Sequence, residues 1–291
     1  MKLKVTYMSG AGNLFSIIDN RNYNFGEKLL SLLSPILCNP VQNNTIQSEG
    51  LLALNERKDY DFEALFFNPD GSHGMMCGNG GRCAVNFALL NNFYYDKKQN
   101  EYVSFMMLGE NYRARVGNDE IELFLPPPMS IDPEKELPLF DQVINYAYVN
   151  VNTDHVVINI EELCQFGVND IVDLDIYKFG KAVRYHKDFL PSGANANFFQ
   201  VRDNNTLILR TYERGVEKET GACGTGAVST AIVANFKHEV QLPIIVIPPS
   251  KSPLIINFDL SLERKISNLS LTGSADILKE DEVEIPDEFL K

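Results

Sequence analysis

The strongest constraint on this chain is a short motif that occurs twice. Met76-Cys77-Gly78-Asn79-Gly80-Gly81 and Ala222-Cys223-Gly224-Thr225-Gly226-Ala227 both carry C-G-[N/T]-G. Each runs straight into a stretch of small residues and helix formers, Arg82–Leu90 (RCAVNFALL) and Gly226–Asn235 (GAVSTAIVAN). The second stretch is apolar on nearly every side, the pattern of a helix enclosed by other structure. A further echo pairs Ser9-Gly10-Ala11-Gly12-Asn13-Leu14-Phe15 with Ser192-Gly193-Ala194-Asn195-Ala196-Asn197-Phe198. A motif repeated with its context predicts two domains of similar fold, each presenting one cysteine at the entry to a central helix. The length of 291 residues agrees, since single domains cluster at about 100–150 residues.

Around the two helical stretches the chain reads as short strands. β-branched and aromatic runs bounded by turn residues fall at Lys2–Tyr7, Leu14–Asp19, Leu51–Asn55, Leu65–Asn68, Tyr102–Leu108 and Ile121–Leu125. A second set falls at Ala147–Val151, His155–Ile160, Asn197–Val201, Leu207–Tyr212, Ile244–Ile247 and Leu254–Phe258. Ser31–Leu37 reads as a further helix with Pro40 to stop it, and Pro126-Pro127-Pro128 as the linker. Lys279–Lys291 is acidic and polar and reads as a solvated tail.

Charge narrows the partners. The 26 basic and 39 acidic residues give a net charge of −13, which argues against nucleic acid or an anionic membrane surface. No apolar run is long enough for a signal peptide or a membrane span. The expectation is a cytoplasmic protein that keeps its five cysteines reduced.

A cysteine at a helix N-terminus meets the positive end of the helix dipole and several open N–H groups, and both favour thiolate. The glycines after it let backbone N–H groups approach a ligand, and helix N-termini bind carboxylates. Symmetry suggests that the two ends face each other across a cleft, with one carboxylate held between two sulfurs. That arrangement suits proton abstraction α to a carboxylate. One thiolate takes the proton, the opposite thiol returns one to the other face, and N–H groups stabilise the enediolate. Cys38, Cys83 and Cys164 read as packing residues. His73, Cys77 and Cys83 lack zinc-ligand spacing, and Gly221–Gly226 is not a dinucleotide fingerprint. No metal and no cofactor is expected, with pyridoxal phosphate left open by composition and spacing.

Phe67-Asn68-Pro69-Asp70-Gly71-Ser72 through Met76-Cys77-Gly78-Asn79-Gly80-Gly81-Arg82-Cys83 resembles the first catalytic signature of the diaminopimelate epimerase family. Tyr212-Glu213-Arg214-Gly215 with Ala222–Ala227 resembles the second; Gly10–Asn13 and Asn195–Phe198 also fit. The matches keep the family's order and span nearly the whole chain. The resemblance implies an isomerase, independent of pyridoxal phosphate, that interconverts LL- and meso-diaminopimelate on the route to lysine. It implies an α/β (α+β) fold of two similar domains, each a β-sheet roll around a central helix, with the active site between them. The domains would be residues 1–126 plus 271–291, with a returning C-terminal strand near Leu269–Gly273, and residues 127–270. Cys77 and Cys223 would be the acid/base pair. Gly78, Asn79, Gly224 and Thr225 would offer N–H groups to the reacting carboxylate. Asn13, Asn68, Asn195, Glu213 and Arg214 would surround the rest of the substrate, with Arg214 on the distal carboxylate and Glu213 on an ammonium group.

The chain departs from the family pattern at Ser9, in place of a histidine, and at Leu14, in place of an aspartate. Thr153-Asp154-His155 stands in place of Asn-Pro-His, and one extra residue lies between Arg214 and Cys223. The partner expected is a small-molecule amino acid, with a homodimer left open. The alternative is a two-thiol racemase of the same fold acting on histidine or a proline derivative, which would not need Arg214. A silent ligand-binding relative is a third reading, which the presence of both cysteines disfavours.

Overall fold

The computed structural model describes residues 1–39, 46–74, 76–93, 102–286 and 289, so Pro40 lies outside the described residues. The chain divides into two compact units: Met1–Phe124 with the stretch from Gly273 onward, and Leu125–Thr272. In chain order the first unit holds β1 (Lys2–Gly10), β2 (Asn13–Asp19), α1 (Glu27–Cys38), β3 (Leu51–Asn55), β4 (Phe62–Phe67), α2 (Gly78–Leu90), β5 (Val103–Met107), β6 (Glu110–Val116) and β7 (Ile121–Phe124). The second holds β8 (Ser130–Leu139), β9 (Gln142–Asn150), β10 (Asp154–Asn159), α3 (Ile176–Arg184), β11 (Asn195–Val201), β12 (Thr206–Glu213), the short β13 (Lys218–Glu219), α4 (Gly224–His238), β14 (Ile244–Ile247), β15 (Leu254–Leu260) and β16 (Ile266–Gly273). A last strand, β17 (Asp276–Glu284), falls in the first unit.

The two units share one topology. In the first, the order β17-β1-β2-β3-β4-β5-β6-β7 pairs antiparallel, antiparallel, parallel, antiparallel, parallel, antiparallel, antiparallel. In the second, β8-β9-β10-β11-β12-β14-β15-β16 repeats that series step for step. α1 and α3 occupy matching crossovers, and so do α2 and α4. α2 packs against β1, β2, β3 and β7, and α4 against strands from β8 to β15, so each sheet curls around one helix. Enclosure explains the composition of α4: Ala227, Val228, Ala231, Ile232 and Ala234 are all fully buried. Among the described residues no helix is long and apolar enough to cross a membrane.

Two expectations are corrected here. The second sequence echo is not a structural one: Ser9–Phe15 turns from β1 into β2, whereas Ser192–Phe198 enters β11, whose counterpart is β3. Gly-Ala-Asn turn chemistry recurs for local reasons and carries no register. The returning strand is β17, later than Leu269–Gly273, and it takes Lys279–Glu284 from what reads as a solvated tail. Its acids face the lysines of β1, with Lys2–Glu282 at 3.2 Å and Lys4–Glu280 at 3.3 Å.

Candidate active site: two cysteine-capped helices

In the first unit, Asn68–Ser72 turns the chain out of β4 toward the cap. Asn68 N–H donates to Ser72 O (2.8 Å) and Asp70 Oδ1 accepts from Ser72 N–H (2.9 Å). Gly71 has φ +86°, and a Cβ there would stand 2.4 Å from the Ser31 carbonyl. Pro35 lies inside α1 and has no N–H to offer that carbonyl, so the turn can seat against the helix. Ser31 and Ser34 hydroxyls donate to Gly71 O (2.6 Å) and Asn68 O (2.7 Å). The Asn68 side-chain amide donates to Ser72 Oγ and His73 O, so Asn68 shapes the turn.

Cys77, half-buried, is the N-cap of α2 with φ −121°, ψ 111°, and its carbonyl accepts from Gly81 N–H (2.8 Å). Gly78 and Asn79 open the helix. Asn79 is buried; its Nδ2 donates to Asn13 Oδ1 (2.9 Å), and its Oδ1 accepts from Arg82 Nη2 (3.0 Å). Asn13 Nδ2 donates in turn to the Glu49 carboxylate. β1 comes so close that a Cβ on Gly10 would stand 2.6 Å from Asn79 O. Asn13, Asn79 and the cap thus form one corner. Sequence reasoning gave Arg82 no role, yet it is fully buried under this corner and also donates to Gly78 O and Ser274 O, both at 3.4 Å. Burial lowers its pKa, and the nearby Cys83 and Cys77 sulfurs act in the opposite sense. A lone arginine among small and apolar residues in RCAVNFALL was the signal for it.

In the second unit Cys223, buried, caps α4 with φ −108°, ψ 108°. Its sulfur accepts from Gly226 N–H (3.4 Å) and lies 3.7 Å from Thr225 Oγ1. Gly224 and Thr225 form the first turn. Asn195 bridges the distal groups: Nδ2 donates to Asp154 O (3.2 Å) and Oδ1 accepts from Arg214 N–H (2.8 Å). The Glu213 carboxylate accepts from Thr220 Oγ1 (2.8 Å). Arg214 Nη1 donates to Asp154 Oδ2 (3.2 Å) and Gly193 O (3.1 Å).

Behind Cys223 lies a buried polar chain that sequence reasoning missed. Asn197 Nδ2 donates to His155 Nδ1 (3.1 Å), His155 Nε2 bonds Thr153 Oγ1 (2.8 Å), and Thr211 Oγ1 donates to Asn197 Oδ1 (3.1 Å). Burial lowers the pKa of His155 to about 3, so it is neutral. Its Nδ1 accepts and its proton sits on Nε2. Of the remaining cysteines, Cys38 and Cys83 are buried thiols whose pKa values burial raises. Cys164 is exposed and is not a core residue; it lies within the 3-10 helix Ile160–Phe166, whose Ile160 and Leu163 are buried.

The fold places the chain first in a structural class. It matches the crystal structure of the Bacillus anthracis phenazine biosynthesis protein of the PhzF family with a TM-score of 0.71. That match covers 98% of this chain and 100% of the other at 12% identity, a likeness of fold. The class is thus the two-unit α+β fold of that protein. Sequence goes further: the family model of diaminopimelate epimerase matches residues 5–123 and 147–247, which include both caps. The chain is 34% identical to the diaminopimelate epimerase of Aquifex aeolicus over 278 residues, 92% of each chain. It is 30% identical to that of Flavobacterium psychrophilum, covering 96% of this chain and 99% of the relative. The chain belongs to the diaminopimelate epimerase family, a family of isomerases.

Proposed function

We propose that the protein interconverts LL- and meso-diaminopimelate by moving a proton at one α-carbon between Cys77 and Cys223, with no pyridoxal phosphate. The observation that carries this reading is the pair of matched caps: both cysteines hold a helix N-terminus with the same extended backbone. Each sulfur is therefore beside the N–H groups of a helix's first turn and the positive end of its dipole, which favour thiolate. One thiolate removes the α-proton and the other thiol delivers a proton to the opposite face. N–H groups of Gly78, Asn79, Gly224 and Thr225 hold the reacting carboxylate and the charge that grows on it.

The far end of the substrate belongs to Asn13, Asn68, Asn195, Glu213 and Arg214. Of its guanidinium nitrogens, Arg214 commits only Nη1 within the chain, to Asp154 and Gly193. Its Nε and Nη2 have no hydrogen-bond partner among the described residues, an open fork of the shape a distal carboxylate takes. That fork favours diaminopimelate over histidine or a proline derivative, neither of which carries a second carboxylate. The small-molecule partner and the acidic surface fit a cytoplasmic enzyme with no affinity for nucleic acid or membrane; light scattering separates monomer from homodimer.

The test is incubation of reduced protein with LL-diaminopimelate in heavy water. Deuterium should enter at the α-carbon together with inversion. Exchange with another amino acid and none with this one would overturn the reading.

A further inference from the structure

Where the family pattern has a proline this chain has Asp154, and the structure gives that carboxylate a full set of partners. β9 and β10 meet in a hairpin through Asn152, whose N–H donates to Asn150 Oδ1 (3.0 Å). In the antiparallel register Asp154 faces Asn150, and Tyr148 lies two residues along the same face of β9. Cross-strand and diagonal neighbours of this kind are within side-chain reach. Asn150 Nδ2 donates to Asp154 Oδ1 (2.8 Å), and the Tyr148 hydroxyl donates to the same oxygen. Burial first, and then the Asp154 carboxylate, push Tyr148 up to about 12, so it stays a donor. Oδ2 is left to accept from Arg214 Nη1 at 3.2 Å, in a pair whose side chains are 17% and 23% exposed.

Among the described residues every group that hydrogen-bonds Asp154 Oδ1 or Oδ2 is a donor, which a carboxylate satisfies at both oxygens. Its effect on Arg214 is directional. Asp154 Oδ2 and Gly193 O between them take both hydrogens of Nη1. The guanidinium is thereby turned so that the Nε–Nη2 edge is the one left open. Arg214 is held at its backbone as well, through Asn195 Oδ1, and Asn195 is itself tied to the Asp154 carbonyl. Holding a flexible side chain in its binding orientation before the ligand arrives lowers the entropic cost of binding.

We propose that Asp154 is a positioning residue for substrate recognition: it aims the open edge of Arg214 at a distal carboxylate and so sets the affinity for dicarboxylic amino acids. This inference rests on the reading of Arg214 given above. It concerns binding of the far end and leaves proton transfer at the α-carbon to the cysteines.

The test is Asp154→Asn, which keeps the shape of the side chain but turns one oxygen into a donor facing a donor. Steady-state epimerisation of LL-diaminopimelate should show KM raised about tenfold, the usual scale for losing a charged hydrogen bond, with kcat within about twofold. Tyr148→Phe leaves the Asp154 charge in place and removes one of its anchors; it should raise KM by about threefold in the same way. This second variant decides the matter if Asp154→Asn does not fold. A KM that is unchanged or lower in the variants, or a loss confined to kcat, overturns the inference while wild-type turnover upholds the function. A wild type that does not turn over LL-diaminopimelate removes both.

Discussion

The caps at Cys77 and Cys223 have nearly the same backbone, φ −121° and ψ 111° against φ −108° and ψ 108°, but they are packed differently. Gly80 and Gly226 are equivalent, each three residues after its cysteine. A Cβ on Gly80 would meet the edge of the Phe15 ring at 3.3 Å, a tight contact that a ring can relieve. A Cβ on Gly226 would stand 2.4 Å from Asn197 Oδ1 and 3.2 Å from the Cys223 sulfur. Around Cys77 the polar shell is Asn79, Asn13 and a buried arginine; around Cys223 it is Asn197 with a neutral histidine. Repetition of the fold gives the two sulfurs the same backbone setting, and the side chains packed around them make their surroundings unlike.

The largest break in this comparison is removal of a sulfur. Cys77→Ala and Cys223→Ala should each lower the inversion rate by about 10²–10⁴-fold or more, the scale of a lost general acid or base. Cys38→Ala should leave the rate unchanged. Equal rates in all three variants would end the two-thiol account.

Acid should separate the units next. His155 is held at about 3 when folded against an ordinary value of 6.5. Above pH 6.5 it is neutral in both states and imposes no penalty. Between 6.5 and 3 the unfolded chain binds the proton and the folded one does not, so stability falls as pH falls. The loss from pH 7 to pH 4 should be about 3 kcal/mol. Denaturation midpoints across that range should drop less in His155→Gln. A parallel drop in both proteins would remove His155 as the cause.

A smaller effect compares the glycines. Gly226→Ala should cost about 1–3 kcal/mol through overpacking, whereas Gly80→Ala should be close to neutral because Ala favours a helix by about 1 kcal/mol. Urea midpoints of the two variants decide it, and equal costs would mean that the shells are more alike than their contacts. The smallest effect is at the surface: Lys4→Gln removes the Glu280 pair and should cost less than about 1 kcal/mol, read as the shift in melting temperature and its disappearance at high salt.

The caps were legible in the sequence because their chemistry is local: a cysteine, glycines and a helix within a dozen residues. The same holds for β3 and β14, whose strand runs were read at their true bounds. β8 was not legible because Pro133 and Pro138 contradict a strand, and they are tolerated only where β8 lies at an edge with a bulge between Asp132 and Lys135. β17 was hidden by its acids, which make sense only beside Lys2 and Lys4 some 280 residues away. α3 escaped notice because it is short, though its apolar Ile176, Phe179 and Val183 share one buried face. In the site, Asp154 was visible as a departure, but its grip on Arg214 spans 60 residues and needs the hairpin register. Glu213, Asn195 and Asn68 were placed by motif alone; their bonds within the chain became apparent only with the turn geometry.

The place that β8 fills in the second unit is filled in the first by β17, the last strand of the chain. The second unit is therefore continuous in sequence and can close as soon as β16 has emerged during synthesis. The first unit cannot: β1 keeps an open edge until Asp276–Glu284 arrives, long after its other strands have been made. On the ribosome the half that begins first is the half that finishes last, and for that interval the edge of β1 is open to pairing with other chains.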